Sequence, residues 1–319
     1  MADSTPLTTP VSAEVAAAGP AGPSNLRLRV IYGLIGAAML LGSVWFSPWT
    51  FGLFFAVVQA IMLWEFYRMM RAGGYAPATW IGVFASLLLF CGTFWFVHSS
   101  NIHVAGKSDT VGLAIESLLE SYQSFFLKTL WGGLALLIPV VLLIREMRLW
   151  PRYQSPFGNI GATMTGLFYV SMPMAALCLL AETSIGYDYR RIFALLFLIW
   201  ASDIGAYAAG TTFGKHKMAP QISPGKTWEG WAGGFMLTLI VGWAVGSMLP
   251  DVSLTHRLVA AVVVAVFAPL GDLAESMLKR SVGMKDSGSI MPGHGGLLDR
   301  FDAFLLVLPV LALLQLLAG

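Results

Sequence analysis

Nine stretches of about twenty residues, almost free of charge, decide what this chain can fold into. They run over 29–47, 50–67, 78–97, 127–144, 161–181, 192–211, 231–249, 258–277 and 302–318. A helix needs about 20 consecutive apolar residues to cross the hydrocarbon core of a bilayer. Inside lipid only helices and closed barrels satisfy every backbone polar group, and none of these stretches alternates apolar and polar residues as a barrel strand does. The expected fold is therefore an all-α integral membrane protein, a polytopic helical bundle of about nine transmembrane helices. Composition agrees: 11% of the residues are charged and 57% are hydrophobic, whereas a soluble domain carries about 25% charge. Such a chain cannot cover its own surface in water.

Basic residues orient the spans, because cytoplasmic loops of membrane proteins collect Lys and Arg. With the N-terminus in the cytosol, the inner side holds Arg27, Arg29, Arg68, Arg71, Arg145, Arg148, Arg152, Lys215, Lys217, Lys226, Lys279, Arg280, Lys285 and Arg300. The outer side keeps Lys107, Lys128, Arg190, Arg191 and Arg257, and an odd number of spans leaves the C-terminus outside. The first 26 residues are rich in Ala, Pro, Ser and Thr and are expected to be a disordered tail. They lack the basic start and apolar core of a secretory signal. Transmembrane helices then fill 27–190, and a C-terminal transmembrane region, 191–319, carries two polar cytosolic loops at 212–230 and 278–301. An outer loop at about 99–126 sets Val111, Ile115, Leu118, Leu119, Tyr122 and Phe126 at helical spacing, which predicts a short interfacial helix. Cys91 and Cys178 lie in apolar surroundings and read as small buried hydrophobes. A net charge of +2 gives no argument for a nucleic-acid partner.

A charge near the bilayer centre costs roughly 2.5–3.5 kcal/mol on insertion scales, so each one asks for a reason. Glu65 stands three residues before Arg68 and reads as half of an interfacial ion pair on one helix face. Asp203 falls about 12 Å inside the inner end of its span, with Tyr207, Gly210 and Gly214 following at helical spacing. It reads either as a helix–helix hydrogen bond between closely packed spans or as the floor of a water-filled cavity. Asp272, Glu275, Ser276 and Lys279 share one stripe of a helix. Asp272 lies about 8 Å deep, where both a lipid phosphate and a cytosolic nucleotide can reach. A buried carboxylate must be paired or must coordinate a metal.

Two cytosolic loops carry the remaining chemistry. The first reads Phe213-Gly214-Lys215-His216-Lys217, then Ser223-Pro224-Gly225-Lys226-Thr227-Trp228-Glu229-Gly230. Glycines let backbone N–H groups approach phosphate oxygens, while lysines and hydroxyls supply charge and donors. It is not a P-loop: Pro220 stands where that pattern requires glycine, and a helix, not a strand, precedes it. The second loop runs from Ser276 through Lys279, Arg280, Lys285, Asp286, Gly288, Pro292, His294, Gly295 and Gly296 to Asp299, Arg300 and Asp302. Mg²⁺ favours a few carboxylates plus substrate phosphates over a full protein cage. Asp299 taken alone would also serve as a helix N-cap.

The stretch 276–302 closely resembles the C-terminal pattern of the phosphatidate cytidylyltransferase (CDP-diacylglycerol synthase) family. It matches at Ser276, Lys279, Arg280, Lys285, Asp286, Gly288, Pro292, His294, Gly295, Gly296, Asp299, Arg300 and Asp302. Upstream, Asp203-Ile204-Gly205-Ala206-Tyr207, Phe213-Gly214-Lys215, Ser223-Pro224-Gly225-Lys226-Thr227 and Gly271-Asp272 also look like that family. Met291 departs conservatively from its usual Leu, Ile or Phe. The resemblance covers roughly 195–305. It implies the reaction of CTP with phosphatidate to give CDP-diacylglycerol and pyrophosphate in phospholipid biosynthesis, at a bacterial inner membrane, with the active site facing the cytosol. It also implies that Asp272 and Asp299 hold the catalytic Mg²⁺, with a second cation left open, and that the protein is a homodimer.

Lys279, Arg280 and His294 join the two aspartates as expected catalytic residues, His294 as a phosphate donor and not a base. Asp203, Lys215, Ser223, Lys226, Thr227, Lys285, Asp286 and Arg300 are expected to bind substrate. Two rivals remain: a CTP-dependent lipid-alcohol kinase, which would attack the γ-phosphorus, and a membrane transporter. Transporters place polar groups near the midplane, and here they crowd one side; no internal repeat is visible. The basic asymmetry makes a direct prediction. A reporter fused after Gly319 should read outside, and tags placed within 214–228 or 282–290 should read cytosolic; a cytosolic reporter at Gly319 overturns the orientation.

Overall fold

The structure, a computed structural model, describes residues 23–100, 110–152, 155–183, 186–288, 290 and 295–318. It is a helical bundle. Chain order runs α1 (Pro23–Phe46), α2 (Pro48–Ala72), α3 (Thr79–Ser100), α4 (Thr110–Leu149), α5 (Pro156–Gly166), a π turn (Leu167–Ser171) and α6 (Met172–Ala181). A two-residue hairpin, β1 (Glu182–Thr183) and β2 (Gly186–Tyr187), leads into α7 (Tyr189–Phe213). Strands β3 (Lys217–Ala219) and β4 (Ser223–Thr227) come next, then α8 (Trp228–Ala244), α9 (Leu254–Ser281) and α10 (Leu298–Ala318).

Helices α5 and α6 form one rod through the π turn, so the described residues contain nine helical rods, one over each expected span. Seven have the length and apolarity of a membrane span; Val30–Phe46 of α1 is apolar but shorter. Helix α10 opens on Asp299, Arg300 and Asp302 before its apolar run. The protein is an all-α integral membrane protein. Large apolar side chains such as Trp80, Phe84, Leu136 and Trp243 are mostly exposed, 66% or more in each case, as a lipid-facing surface requires.

Three details depart from the expectations. The interfacial helix expected within 99–126 is not separate: from Thr110 onward it continues into the following span as one helix of 40 residues. Such a helix is about 60 Å long, twice the thickness of the hydrocarbon core, so a third or more of it extends beyond the core. Nothing between Thr110 and Lys128 breaks the helix; Pro139 falls later, inside the span, where neighbours can tolerate it. Helix α1 begins at Pro23, inside the stretch assigned to the tail, since Pro suits a first helical turn; residues 1–22 lie outside the described residues. Cys178 is buried, but Cys91 is exposed, because an apolar position on a span can face lipid as readily as protein.

The core gathers around α2, whose Phe51, Phe55, Phe66 and Tyr67 are each at most 1% exposed. The Tyr67 hydroxyl donates to the Thr163 carbonyl at 2.9 Å, keeping its polar end satisfied. Helices α7 and α8 approach more closely than any large side chain would allow. A Cβ on Gly205 would lie 2.8 Å from the Gly233 carbonyl oxygen, and one on Gly234 2.6 Å from that of Ser202. Small residues at such crossings substitute for hydrophobic driving force, which lipid does not supply between helices. The glycine face of α7 thus packs on α8, while Asp203 and Tyr207 lie on its exposed face.

Proline shapes α9. Pro269 has no N–H, so the Ala265 carbonyl four residues earlier loses its helical donor. The Trp231 indole of α8 supplies one instead, at 3.1 Å. Gly234→Val should force α7 and α8 apart at a cost of about 1–3 kcal/mol, whereas Gly161→Ala, with open space around its Cβ inside a helix, should raise stability by about 0.4–1 kcal/mol. Thermal unfolding of purified protein followed by size-exclusion fluorescence checks both; an unshifted midpoint for Gly234→Val removes the close-packing account.

Candidate active site

The polar loops converge at one end of the bundle. The first is a hairpin and not an irregular loop. Strands β3 and β4 pair antiparallel with Lys217 opposite Thr227 and Ala219 opposite Ser223, closed by a turn in which the Ile222 amide donates to the Ala219 carbonyl at 3.2 Å. Pro220 sits at the position of such a turn where a fixed φ helps. Glu229 fastens the base of the hairpin, accepting from the backbone amides of Lys215 and His216 at 3.1 Å and pairing with the His216 ring at 2.5 Å. The Thr227 hydroxyl accepts from the Gly230 amide at 3.1 Å and N-caps α8. Its side chain is spent on that cap and buried.

The hairpin points Lys226 at α9. Its ammonium lies 2.7 Å from Asp272 Oδ2 and donates to the Pro269 carbonyl at 2.9 Å. On α9, Ser276 donates to Asp272 Oδ1 at 3.2 Å. One turn on, Lys279 stands 2.5 Å from Glu275 Oε2 and 2.7 Å from Asp299 Oδ1, joining α9 to the first turn of α10. Glu275 is fully buried. Asp299 also accepts from the amides of Gly296 at 2.8 Å and Ser287 at 3.1 Å. From the first turn of α10 it therefore holds the preceding loop.

Carboxylate oxygens of Asp272, Glu275 and Asp302 lie within 4.8 Å of one another. Asp203 lies in the electrostatic field of Asp272 and Lys226, and Asp302 in that of Asp272, Asp203 and Lys226. Three carboxylates this close repel unless a proton or cation sits among them, and hard oxygen ligands suit Mg²⁺. The donor set fits a divalent cation. The carboxylates that converge on Asp272 are Glu275 and Asp302, whereas Asp299 lies beside Glu275, where it meets Lys279 and the loop amides.

Among the other expected site residues, Lys215, Lys285, Asp286 and Arg300 are exposed and Ser223 is half-buried. Arg280 donates to the Met284 carbonyl at 3.2 Å, closing the end of α9. His294 lies outside the described residues.

Glu65 is the residue whose place the sequence misjudges. Proximity along the helix pairs it with Arg68, but among the described residues the two form no ion pair, and both reach across to the loop before α10. Glu65 is 1% exposed and accepts from the Leu298 amide at 2.9 Å and the Ser287 hydroxyl at 3.3 Å. Arg68 donates to the Ser287 carbonyl at 2.6 Å. The loop glycines follow from this approach: a Cβ on Gly288 would lie 2.0 Å from Glu65 Oε1, and one on Gly296 2.5 Å from Glu65 Oε2. A buried acid on a span distant in sequence is the one available signal, and a nearer cation diverts it.

Fold and site together define a polytopic membrane protein with a charged centre at one end of its helices. The chain belongs to the cytidylyltransferase family, whose model matches residues 27–317. It is similar to the phosphatidate cytidylyltransferase of Haemophilus influenzae, 31% identical over 295 residues, which covers 89% of this chain and 96% of that protein. The Bacillus subtilis phosphatidate cytidylyltransferase is 37% identical over 196 residues, 61% of this chain and 72% of its own. That of Staphylococcus epidermidis is 36% identical over 222 residues, 63% and 85% respectively.

Removing the Glu65 acceptor leaves the Leu298 amide and the Ser287 hydroxyl unpaired, at a cost of about 1–3 kcal/mol. Glu65→Ala should therefore lower both thermal stability and turnover, and Glu65→Gln, which keeps one acceptor oxygen, should do so less. Thermal midpoints and initial rates measured side by side decide it; Glu65→Ala behaving as wild type would return this residue to the interface.

Proposed function

We propose that this chain transfers the cytidylyl group of CTP to phosphatidate, releasing pyrophosphate and forming CDP-diacylglycerol for phospholipid synthesis. The observation that carries the reading is the joining of Lys226, Asp272, Glu275, Lys279, Asp299 and Asp302 at one end of the bundle, in a chain whose family transfers cytidylyl groups. A phosphate oxygen of phosphatidate attacks the α-phosphorus of CTP. The bond from that phosphorus to the oxygen bridging to the β-phosphorus breaks, and pyrophosphate leaves with the electron pair. The second pKa of a phosphate monoester is near 6, so the nucleophile is ionised at neutral pH without a general base. Catalysis then consists of positioning and charge neutralisation.

Lys226 and Lys279 flank the acid cluster from two chain segments and act on the phosphates of both substrates. Arg280, Lys285 and Arg300 extend that positive rim, and Lys215, Ser223, Thr227 and Asp286 shape the loops around it. His294 donates to a phosphate, and Asp203 lines the floor. Asp272, with Asp302 and Glu275 beside it and Asp299 across Lys279, holds a divalent cation, Mg²⁺, that would offset the charge of the nucleotide phosphates. The catalytic end, region 191–319, faces the cytosol at a bacterial inner membrane, where CTP is supplied, and the protein works as a homodimer.

With phosphatidate vesicles and labelled CTP, label at the α-phosphorus should pass to lipid and label at the γ-phosphorus should leave in pyrophosphate. γ-Label in lipid would mean kinase chemistry and end the proposal. Asp272→Asn and Asp299→Asn should each abolish turnover in protein that still inserts and purifies. Titration with Mn²⁺ separates their roles: Asp272→Asn and Asp302→Asn should weaken binding about tenfold or more. Unchanged Mn²⁺ affinity in Asp299→Asn would assign that residue to Lys279 and the loop.

A further inference from the structure

A cavity with both apolar and charged lining lies at the opposite end of the bundle from the acid cluster. It has a volume of about 730 Å³ and is lined by the beginnings of α7 and α9, the segment after α8 and the end of α10. Arg191, Ala194, Leu195 and Leu198 face it from one stripe of α7, and Ser253, His256, Arg257 and Ala260 from one stripe of α9. Arg257 and Asp272 stand on the same helix fifteen residues apart, roughly 22 Å of rise. The cavity is therefore separate from the catalytic centre.

Two acids, Glu182 and Asp251, and two arginines, Arg191 and Arg257, line it, but the acids form their ion pairs with other side chains. Of the acids lining it, Glu182 pairs with His98 at 3.0 Å, and Asp251 is oriented toward Arg190 at 3.6 Å. Asp188, the acid nearest Arg191 along the chain, bonds to Arg190 at 2.8 Å and attracts Arg191 only through space. Neither Arg191 nor Arg257 forms an ion pair among the described residues. The Nε of each is buried with no hydrogen-bond acceptor, and Arg257 reaches only the Trp243 carbonyl, at 3.5 Å. Two guanidiniums facing a cavity whose other walls are Leu195, Leu198, Val245 and Leu249 make an amphiphilic chamber: cationic donors suited to a phosphate, beside apolar wall suited to a chain. Val245 also lines a neighbouring apolar groove of about 430 Å³ with Phe197, Trp200 and Val241, which extends the apolar wall along α7 and α8.

We propose that this cavity binds the headgroup of an anionic phospholipid from the leaflet at that end of the bundle, with an acyl chain in the adjoining groove. A guanidinium recognises phosphate oxygens in fork geometry, and the volume is that of an ordinary ligand site. The position is set by structure and not by catalysis, so it stands whether or not the opposite end carries out cytidylyl transfer.

The test uses the full chain in a neutral detergent, titrated with phosphatidylglycerol, phosphatidylcholine or inorganic phosphate and read by native mass spectrometry. Wild type should retain one more phosphatidylglycerol than the Arg191→Gln/Arg257→Gln variant. Affinity for that lipid should fall about a hundredfold in the variant, tenfold for each guanidinium replaced. Arg191→Lys/Arg257→Lys should keep most of the binding and serves as the folding control. Phosphatidylcholine retained equally, or the Gln variant binding like wild type, overturns the proposal. Competition by millimolar inorganic phosphate would make it a site for free anions and overturn the lipid assignment. Should the Gln variant fail to fold, a diazirine-bearing phosphatidylglycerol must label 191–198 or 253–260 of the wild type; labelling confined to 272–302 refutes it.

Discussion

Lys279 is the residue on which the charged end of the bundle depends. One ammonium, 2.5 Å from Glu275 and 2.7 Å from Asp299, ties α9 to α10 where both would otherwise present buried negative charge. A buried ion without a partner is far more costly than the pair is favourable, so neither helix can shift along the other without exposing an uncompensated charge. The amides of Gly296 and Ser287 complete the coordination of Asp299. The loop between the helices is thereby held from its α10 end, and Glu65 and Arg68 of α2 hold it from the side. The described parts of this glycine-rich segment, 282–288 and 295–297, are thus placed by contacts with three helices.

The same economy appears in the backbone. Within lipid, each carbonyl freed by a proline needs another donor, and Trp231 supplies one to Ala265 across the α8–α9 contact. Lys226 uses the next accessible carbonyl, that of Pro269, while it pairs with Asp272. The proline of α9 therefore also anchors the β3–β4 hairpin. On the far side of α8, the glycines that bring α7 close let Thr227 cap α8 against Gly210 and Gly214. Hairpin, cap and close helix contact form one unit, and that unit carries Asp203 and Lys226 to α9.

Much of this is legible in the residues. Long apolar runs predict helices because the solvent permits little else, and each expected span has its helix. The stripe Asp272, Glu275, Ser276 and Lys279 can be placed on one helix face because helical periodicity is local. Inferences about partners fare worse. Nearness in sequence joins Glu65 to Arg68, yet both turn to a loop more than two hundred residues away. A change of polarity sets the interfacial helix apart from its span, although the backbone has no reason to stop there. Apolar surroundings in sequence place Cys91 in the interior, but they do not distinguish a lipid-facing position from a protein-facing one.

The sequence by itself determined that the chain crosses a membrane many times and that many of its acids and bases fall in two glycine-rich loops and the helix ends beside them. These follow from transfer free energies and local periodicity, which each residue carries with it. Only the tertiary structure decided which carboxylates converge. Asp302 joins Asp272 and Glu275, while Asp299, beside Glu275, turns to Lys279 and to loop amides. The reason is physical: the position of a charge in a bundle depends on how neighbouring helices rotate and slide. That is settled by packing between residues distant in the chain, where glycines let helices touch and where a single lysine reaches two acids at once.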